Sequence, residues 1–479
     1  MKIPKIITNS AVYSVTTLLQ KGIGFFLLPL YTAFLTPEDY GIVNVVTSVS
    51  SFLAVLIMMS LTGAATRFHY RNTDENYRKV LWGTITTIVI ISSLGWGAVF
   101  FTFHKFLVDP FIGEVEFYPY AVIGLANVII TPLYLLFQAS LQARQKAFYY
   151  SVNTFSNFLV HIGLAIVFIA VLKLGAVGML LANVVTSLLF FIYVLIAYIP
   201  QIKMGIDKTI AKQAFGYSLP LVPHHISIWS AGTIDRLFLN NIKGTSVTGV
   251  YSVGQQFGSV VGTIAHSVNQ AFVPWFFQMI EKGKTGFRKI EKMGLFAVIS
   301  YCMIAFAISL FSPEVLRVMV SEGFRDAWQV IPFLCFAFVF HGLYFFFINV
   351  LFIKDTGWVF TVTMSSMVVD ILFNILLIPI WGFYGSAIAC FMTYLSRSIF
   401  AMILSLRKNK EIRYNYLMMY LTPLLFLALS YVNVILIKLP ILYAFLIKVS
   451  FCSLLGGVFY LFFKNQIREI VAQLKNRKK

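Results

Sequence analysis

The stretch QVIPFLCFAFVFHGLYFFFINVLFI, Gln329–Ile353, decides the class of this protein. It runs 25 residues without an Asp, Glu, Lys or Arg. As an α-helix it is about 37 Å long, enough to cross a hydrocarbon core of about 30 Å. Working outward, comparable apolar runs lie at 8–34, 41–65, 80–103, 117–141, 150–172, 176–199, 214–239, 247–273, 293–312, 358–379, 383–405, 416–437 and 441–463. Composition agrees, at 59% hydrophobic, 11% charged and a mean hydropathy of +0.83. Soluble domains carry about 25% charged residues, so this chain needs lipid as part of its solvent. The expectation is an all-α polytopic membrane protein of about 14 transmembrane helices.

Charge sets the orientation. Of the 37 Lys and Arg, 27 fall on the side holding the N-terminus, the even-numbered loops and the C-terminal tail; six fall on the other side and four within spans. The rule that cytoplasmic loops are Lys/Arg-rich then puts both termini in the cytoplasm. The net charge of +19 is thereby accounted for by loops, and no nucleic-acid motif accompanies it. Cys302, Cys335, Cys390 and Cys452 are isolated in apolar runs, which predicts neither a disulfide framework nor a metal site. The first apolar run is too long and too polar, with Gln20 and Lys21, for a cleavable signal peptide. The longest external connection, 313–328, is too short for a soluble domain.

Two self-similarities share nearly one offset. Tyr40-Gly41-Ile42-Val43 parallels Thr248-Gly249-Val250-Tyr251, a shift of 208, and Gly175-x-x-Gly178-x-x-x-Ala182 parallels Gly382-x-x-Gly385-x-x-x-Ala389, a shift of 207. They predict two pseudo-symmetric six-helix bundles, 1–210 and 211–410, followed by two extra helices and a basic tail, 411–479. Six being even, both bundles have one orientation, a parallel repeat with its site expected between the halves near the midplane.

Polar residues within spans are few and mark candidate cavity positions. Gln20 and Lys21 sit midway through the first run, where Lys21 meets either a substrate or a structural counter-ion. The seventh run holds Pro220, Pro223, His224 and His225, then Asp235-Arg236, read as a helix-to-helix bridge or as part of a site or gate. Gln255, Ser259, Gly262, His266 and Asn269 share one helical face, echoed by Asn44, Ser48, Ser51 and Thr62. Such a stripe is either cavity lining or a helix-packing seam. Asp370 and Asn374 lie one turn apart, with Arg397 on the next run and a bridge to Asp370 open. Lys448 is expected outside the core, reaching for the membrane surface. The excess of basic over acidic groups leans towards an anionic cargo.

No nucleotide machinery or cofactor motif is visible. Gly283-Lys284-Thr285 ends like a phosphate-binding loop, but Gln278 stands where its first glycine is required. No catalytic motif appears, so the protein is expected not to be an enzyme.

Pro220-Leu221-Val222-Pro223, Asp235-Arg236-x-x-Leu239, Gly249-Val250-Tyr251, Leu35-Thr36-Pro37-Glu38-Asp39-Tyr40-Gly41 and the two Gly-x-x-Gly span starts together resemble the Wzx-type polysaccharide flippases of the multidrug/oligosaccharidyl-lipid/polysaccharide superfamily. The resemblance covers nearly the whole chain. It implies two six-helix bundles in a V, located in a bacterial inner membrane. The cargo would be an undecaprenyl-diphosphate-linked oligosaccharide, passed to the periplasmic leaflet. Lys21 matches the family's diphosphate-receiving cation, and Arg236 matches its Asp-Arg pair. Membrane lipids, a coupling proton or sodium ion acting through Asp370 or a His, and polysaccharide-assembly proteins are the partners implied. Two rival readings are a cation-coupled drug exporter of the same superfamily and a membrane-embedded glycan polymerase or ligase.

Overall fold

The computed structural model describes the chain except residues 1–11, 13–15, 17, 18, 21, 23, 355–357, 410, 437 and 477–479. The described residues are helical, without strands. The principal helices are α1 (Leu28–Phe34), α2 (Pro37–Met58), α3 (Leu61–His69), α4 (Glu75–Thr102), α5 (Val122–Ala143), α6 (Ala147–Ile166), α7 (Gly175–Ala197), α8 (Lys208–Ser218), α9 (Val222–Ser230), α10 (Ile234–Lys243), α11 (Thr245–Ile280), α12 (Lys284–Met319), α13 (Ile331–Lys354), α14 (Trp358–Trp381), α15 (Phe383–Lys408), α16 (Tyr416–Ser430) and α17 (Ile441–Asn476). Among the described residues, 11 helices are long and apolar enough to cross a membrane. The protein is therefore a multi-pass membrane protein. The closely spaced runs 150–172 and 176–199, and 358–379 and 383–405, are separate helices, α6/α7 and α14/α15. The seventh run is broken at its prolines, with a 3₁₀ turn at Leu219–Leu221 between α8 and α9, and a second break before α10.

One compact unit comprises Met1–Val253, Met319–Phe324 and Ser366–Ala389. The second run of the sequence bends within it: Met59 and Ser60 take left-handed φ of 46° and 58° between α2 and α3. The bend separates two apolar cores, one around Val45, Leu53, Leu125 and Leu180, the other around Leu61, Trp82, Leu136 and Tyr198. Thr36 opens α2 with a capping box. Asp39 closes that box and also accepts a hydrogen bond from Ala176 N at 3.0 Å, at the start of α7. A carboxylate there satisfies a helix N-terminus, so two of the motifs quoted above meet. Gly175 has φ +55°, and its repeat counterpart Gly382 has φ +56°. A β-carbon on Gly41 would stand 2.7 Å from the Thr245 carbonyl carbon, and one on Gly249 2.9 Å from that of Pro37. These contacts exchange under the shift of 208, as contacts across a two-fold axis do.

The other unit comprises Gly254–Val318, Arg325–Ser365 and Cys390–Lys479. Aromatic side chains hold α16 and α17 against α12: Phe306 packs on Phe426 at 5.6 Å and on Phe451 at 5.5 Å. Lys448 does not reach for the surface; it is 1% exposed, and its Nζ donates to both oxygens of Glu314 at 2.7 and 2.9 Å. The sequence places Glu314 in the connection 313–328, but α12 continues through Pro313 to Met319 and carries it to α17.

Candidate functional site

The first unit has an open cavity of about 790 Å³ at the bend between α2 and α3. Its polar lining includes Ser51, Thr62, Arg67, Gln138, Tyr150 and His225. The bend explains how Ser51 and Thr62, from two helix segments, face one space. Ser51 Oγ accepts from Trp229 Nε1 at 2.9 Å. Gln138 donates to Thr154 Oγ1 at 2.6 Å and to Tyr134 Oη at 2.9 Å. Arg67 lies over the Tyr217 ring at 4.6 Å, a cation–π contact that leaves its guanidinium in the cavity wall. The space combines one fixed cation with hydroxyl, amide and imidazole groups, which suits an anionic, hydroxyl-rich headgroup.

Lys21 lies outside the described residues. Its neighbour Gln20 donates to Thr154 O at 3.2 Å, and Thr16 bonds Ser151 Oγ at 2.8 Å, so this part of the first run packs on α6. Asn44 donates back to Tyr40 O at 2.8 Å, and Ser48 is buried with no hydrogen-bond partner for Oγ among the described residues. Neither lines the cavity. His225 lines it, while His224 is half-buried with its ring 6.0 Å away. Arg236 is half-buried.

Three other predicted residues are brought together in this same unit. Asp235 and Asp370 are each 1% exposed, and Asn374 is fully buried. The Asn374 amide donates to Asp235 Oδ1 and Asp370 Oδ1, both at 3.0 Å. Tyr251 Oη donates to Asp235 Oδ2 at 3.0 Å, and Ser230 Oγ to Asp370 Oδ2 at 3.2 Å. Asn374 Oδ1 is buried with no donor among the described residues. Two carboxylates and an amide oxygen brought together in this way are suited to hold a proton or a small cation between them.

The second unit holds the remaining candidates. Arg397 is 4% exposed, its guanidinium 5.4 Å over the Tyr394 ring. Tyr394 lies 5.0 Å from His341, which lies 4.7 Å from Phe345; His266, exposed, is 6.1 Å from Phe345. Arg397 and His266 therefore flank one aromatic cluster. Gln255 is buried, Ser259 bonds its own helix at Gln256 O, and Asn269 accepts from Asn349 at 2.9 Å. The lower end of that stripe is a packing seam, the second of the two readings above.

A family model described as polysaccharide biosynthesis protein matches residues 6–280. The chain belongs to that family. The chain is 24% identical over 332 residues to the Lsg locus putative protein 1 of Haemophilus influenzae, covering 67% of this chain and 78% of that protein. The fold is shared with the lipid II flippase MurJ in its inward closed conformation, at a TM-score of 0.76, 13% identity, 95% coverage of this chain and 100% of that one. It is shared also with an inward-facing multidrug MATE transporter of the MOP superfamily, at 0.59, 17%, 83% and 97%.

Arg67, Gln138 and Tyr150 also line the cavity, though nothing in the sequence analysis singles them out. Arg67 sits just past the end of the apolar run 41–65, where the sequence reads as a loop. The signal was present, since Thr62, Gly63, Thr66 and Arg67 continue the polar pattern of the second run on i, i+4 spacing.

Proposed function

We propose that this protein is a flippase that carries undecaprenyl-diphosphate-linked oligosaccharide units from the cytoplasmic to the periplasmic leaflet of a bacterial inner membrane, by alternating access, during cell-surface polysaccharide biosynthesis. The observation that carries this reading is the open cavity of about 790 Å³, with Arg67 and several hydroxyl and amide side chains in its partly apolar wall. Lys21 is the cation that receives the diphosphate. Its neighbour Gln20 is bonded to α6, the helix that supplies Tyr150 to the cavity. The fold shared with a lipid II flippase supports a lipid-linked cargo. The moving bodies are the repeat halves 1–210 and 211–410, in a layout of fourteen spans with cytoplasmic termini. The reciprocal Gly41 and Gly249 contacts and the matched Gly175 and Gly382 conformations support that division. Asp235, Asp370 and Asn374 form the coupling-ion site. Moving a negative headgroup outward is itself favoured by about 2.3 kcal/mol per charge per 100 mV.

The test is transfer of a defined lipid-linked glycan across reconstituted vesicles. Wild-type protein should move it, and Lys21→Ala should abolish transfer while melting at the parent temperature. Parent-level transfer by that variant removes Lys21 from the mechanism. The buried carboxylate pair and the fold shared with a MATE transporter favour one rival, a cation-coupled exporter. Ion-driven dye efflux without glycan transfer would establish it.

A further inference from the structure

A second pocket lies apart from the cavity, at the cytoplasmic ends of the helices in the first unit. Its volume is about 470 Å³, and it is lined by His69, Glu75, Arg78, Lys79, Arg144, Lys146 and Gln201. Arg67 and His69 are two residues apart on α3, about 200° around the helix, so α3 presents one to the cavity and the other to this pocket. Gln142 and Arg144 divide in the same way at the end of α5.

Cytoplasmic Lys and Arg ordinarily splay into water, but here four converge on one concavity with a single carboxylate. Glu75 is taken by Arg78 Nη1 at 3.0 Å, and Arg78 Nε is anchored on the His69 and Asn72 carbonyls. Arg144 is steadied by Gln201 Oε1 at 2.8 Å. Lys79 and Lys146 are exposed and form no ion pair among the described residues. Gln145, at φ +56°, turns the chain between Arg144 and Lys146. The floor is built: His69 is 4% exposed, and its Nδ1 accepts from the fully buried Trp82 Nε1 at 3.2 Å. That bond puts the proton of neutral His69 on Nε2, a fixed donor for the pocket. Burial first, then Arg78 and Arg144, lowers the His69 pKa and keeps the ring neutral.

We infer that this pocket binds the phosphate of an anionic lipid headgroup in the cytoplasmic leaflet, outside the translocation cavity. Three features set its chemistry: cations in excess, an imidazole donor on the floor, and a mouth at the interface. Phe148 and Tyr149, 73% and 60% exposed, stand beside Lys146, whose Nζ is 5.8 Å over the Tyr149 ring. Exposed aromatics of this kind mark the headgroup level, and basic pockets between helix ends hold phosphate headgroups there.

The experiment uses the full chain in phosphatidylcholine nanodiscs titrated with phosphatidylglycerol. Bound lipid is counted by native mass spectrometry, and His69 is followed by NMR of labelled histidine. Wild type should retain phosphatidylglycerol, and its binding should raise the His69 pKa. Lys79→Gln with Lys146→Gln should bind roughly 25-fold more weakly, about fivefold per cation, and lose the His69 response. Arg288→Gln with Lys289→Gln, on another basic turn, should bind like wild type. Equal weakening by that control pair, or an unmoved His69, overturns the pocket. Competition by millimolar inorganic phosphate as effective as that of the lipid overturns the lipid assignment.

Discussion

The Gly41–Gly249 crossing offers the most direct test of alternating access. Gly41→Ala places a β-carbon 2.7 Å from the Thr245 carbonyl carbon and 3.2 Å from Gly249 N. Carbon atoms in contact prefer about 3.5–4.0 Å, so α2 and α11 must part by about 1 Å. The obstacle is backbone, and no rotamer change relieves it. Overpacking of this kind costs about 1–3 kcal/mol. On the expected topology this crossing lies at the outer side. A cost borne only by the outwardly closed state raises the outwardly open population at least about fivefold. Gly249→Ala should act alike through Pro37, and the double variant should cost less than the sum, because one separation relieves both clashes. The assay is the rate at which a membrane-impermeant maleimide labels Ser48→Cys from outside, with the four native cysteines replaced. Ser48 is 2% exposed and lies two turns along α2 from Gly41. Parent-rate labelling of the Gly41→Ala protein, with an unchanged melting temperature, would refute the argument that this crossing is tight and gates access.

Asp370→Asn should leave the fold intact and remove the sodium or proton dependence of glycan transfer; a variant as ion-dependent as the parent would dismiss the coupling site. Lys448→Met should lower stability by about 2 kcal/mol, because it strands a partly buried Glu314 carboxylate. Adding Glu314→Gln should recover most of that loss, and a thermal-melting double-mutant cycle without coupling would show that the pair contributes nothing. Arg67→Gln should slow glycan transfer several-fold without changing stability by more than about 1 kcal/mol; unchanged transfer kinetics would place Arg67 outside the path.

The membrane class, the helical fold and most span boundaries follow from the chain alone. Hydrocarbon leaves helices or closed barrels as the ways to satisfy a spanning backbone, and runs such as 329–353 have helical length. The paired glycines were legible for a related reason. A position where two backbones meet, or where φ is positive, tolerates little else, so Gly41, Gly175, Gly249 and Gly382 stand out at a fixed offset.

What the chain alone left open concerns partners. Lys448 reads as an isolated cation, and only the packing of α17 on α12 supplies Glu314. Asp235, Asp370 and Asn374 were each visible, but they are 135 or more residues apart in part, and nothing local states that one amide joins them. Arg67 reads as a loop charge until the bend at Met59 and Ser60 turns α3 towards the cavity. Burial and periodicity are set residue by residue, by the cost of each group in lipid. Pairing and cavity lining are set by which distant helix faces meet, and that is a property of the packed bundle.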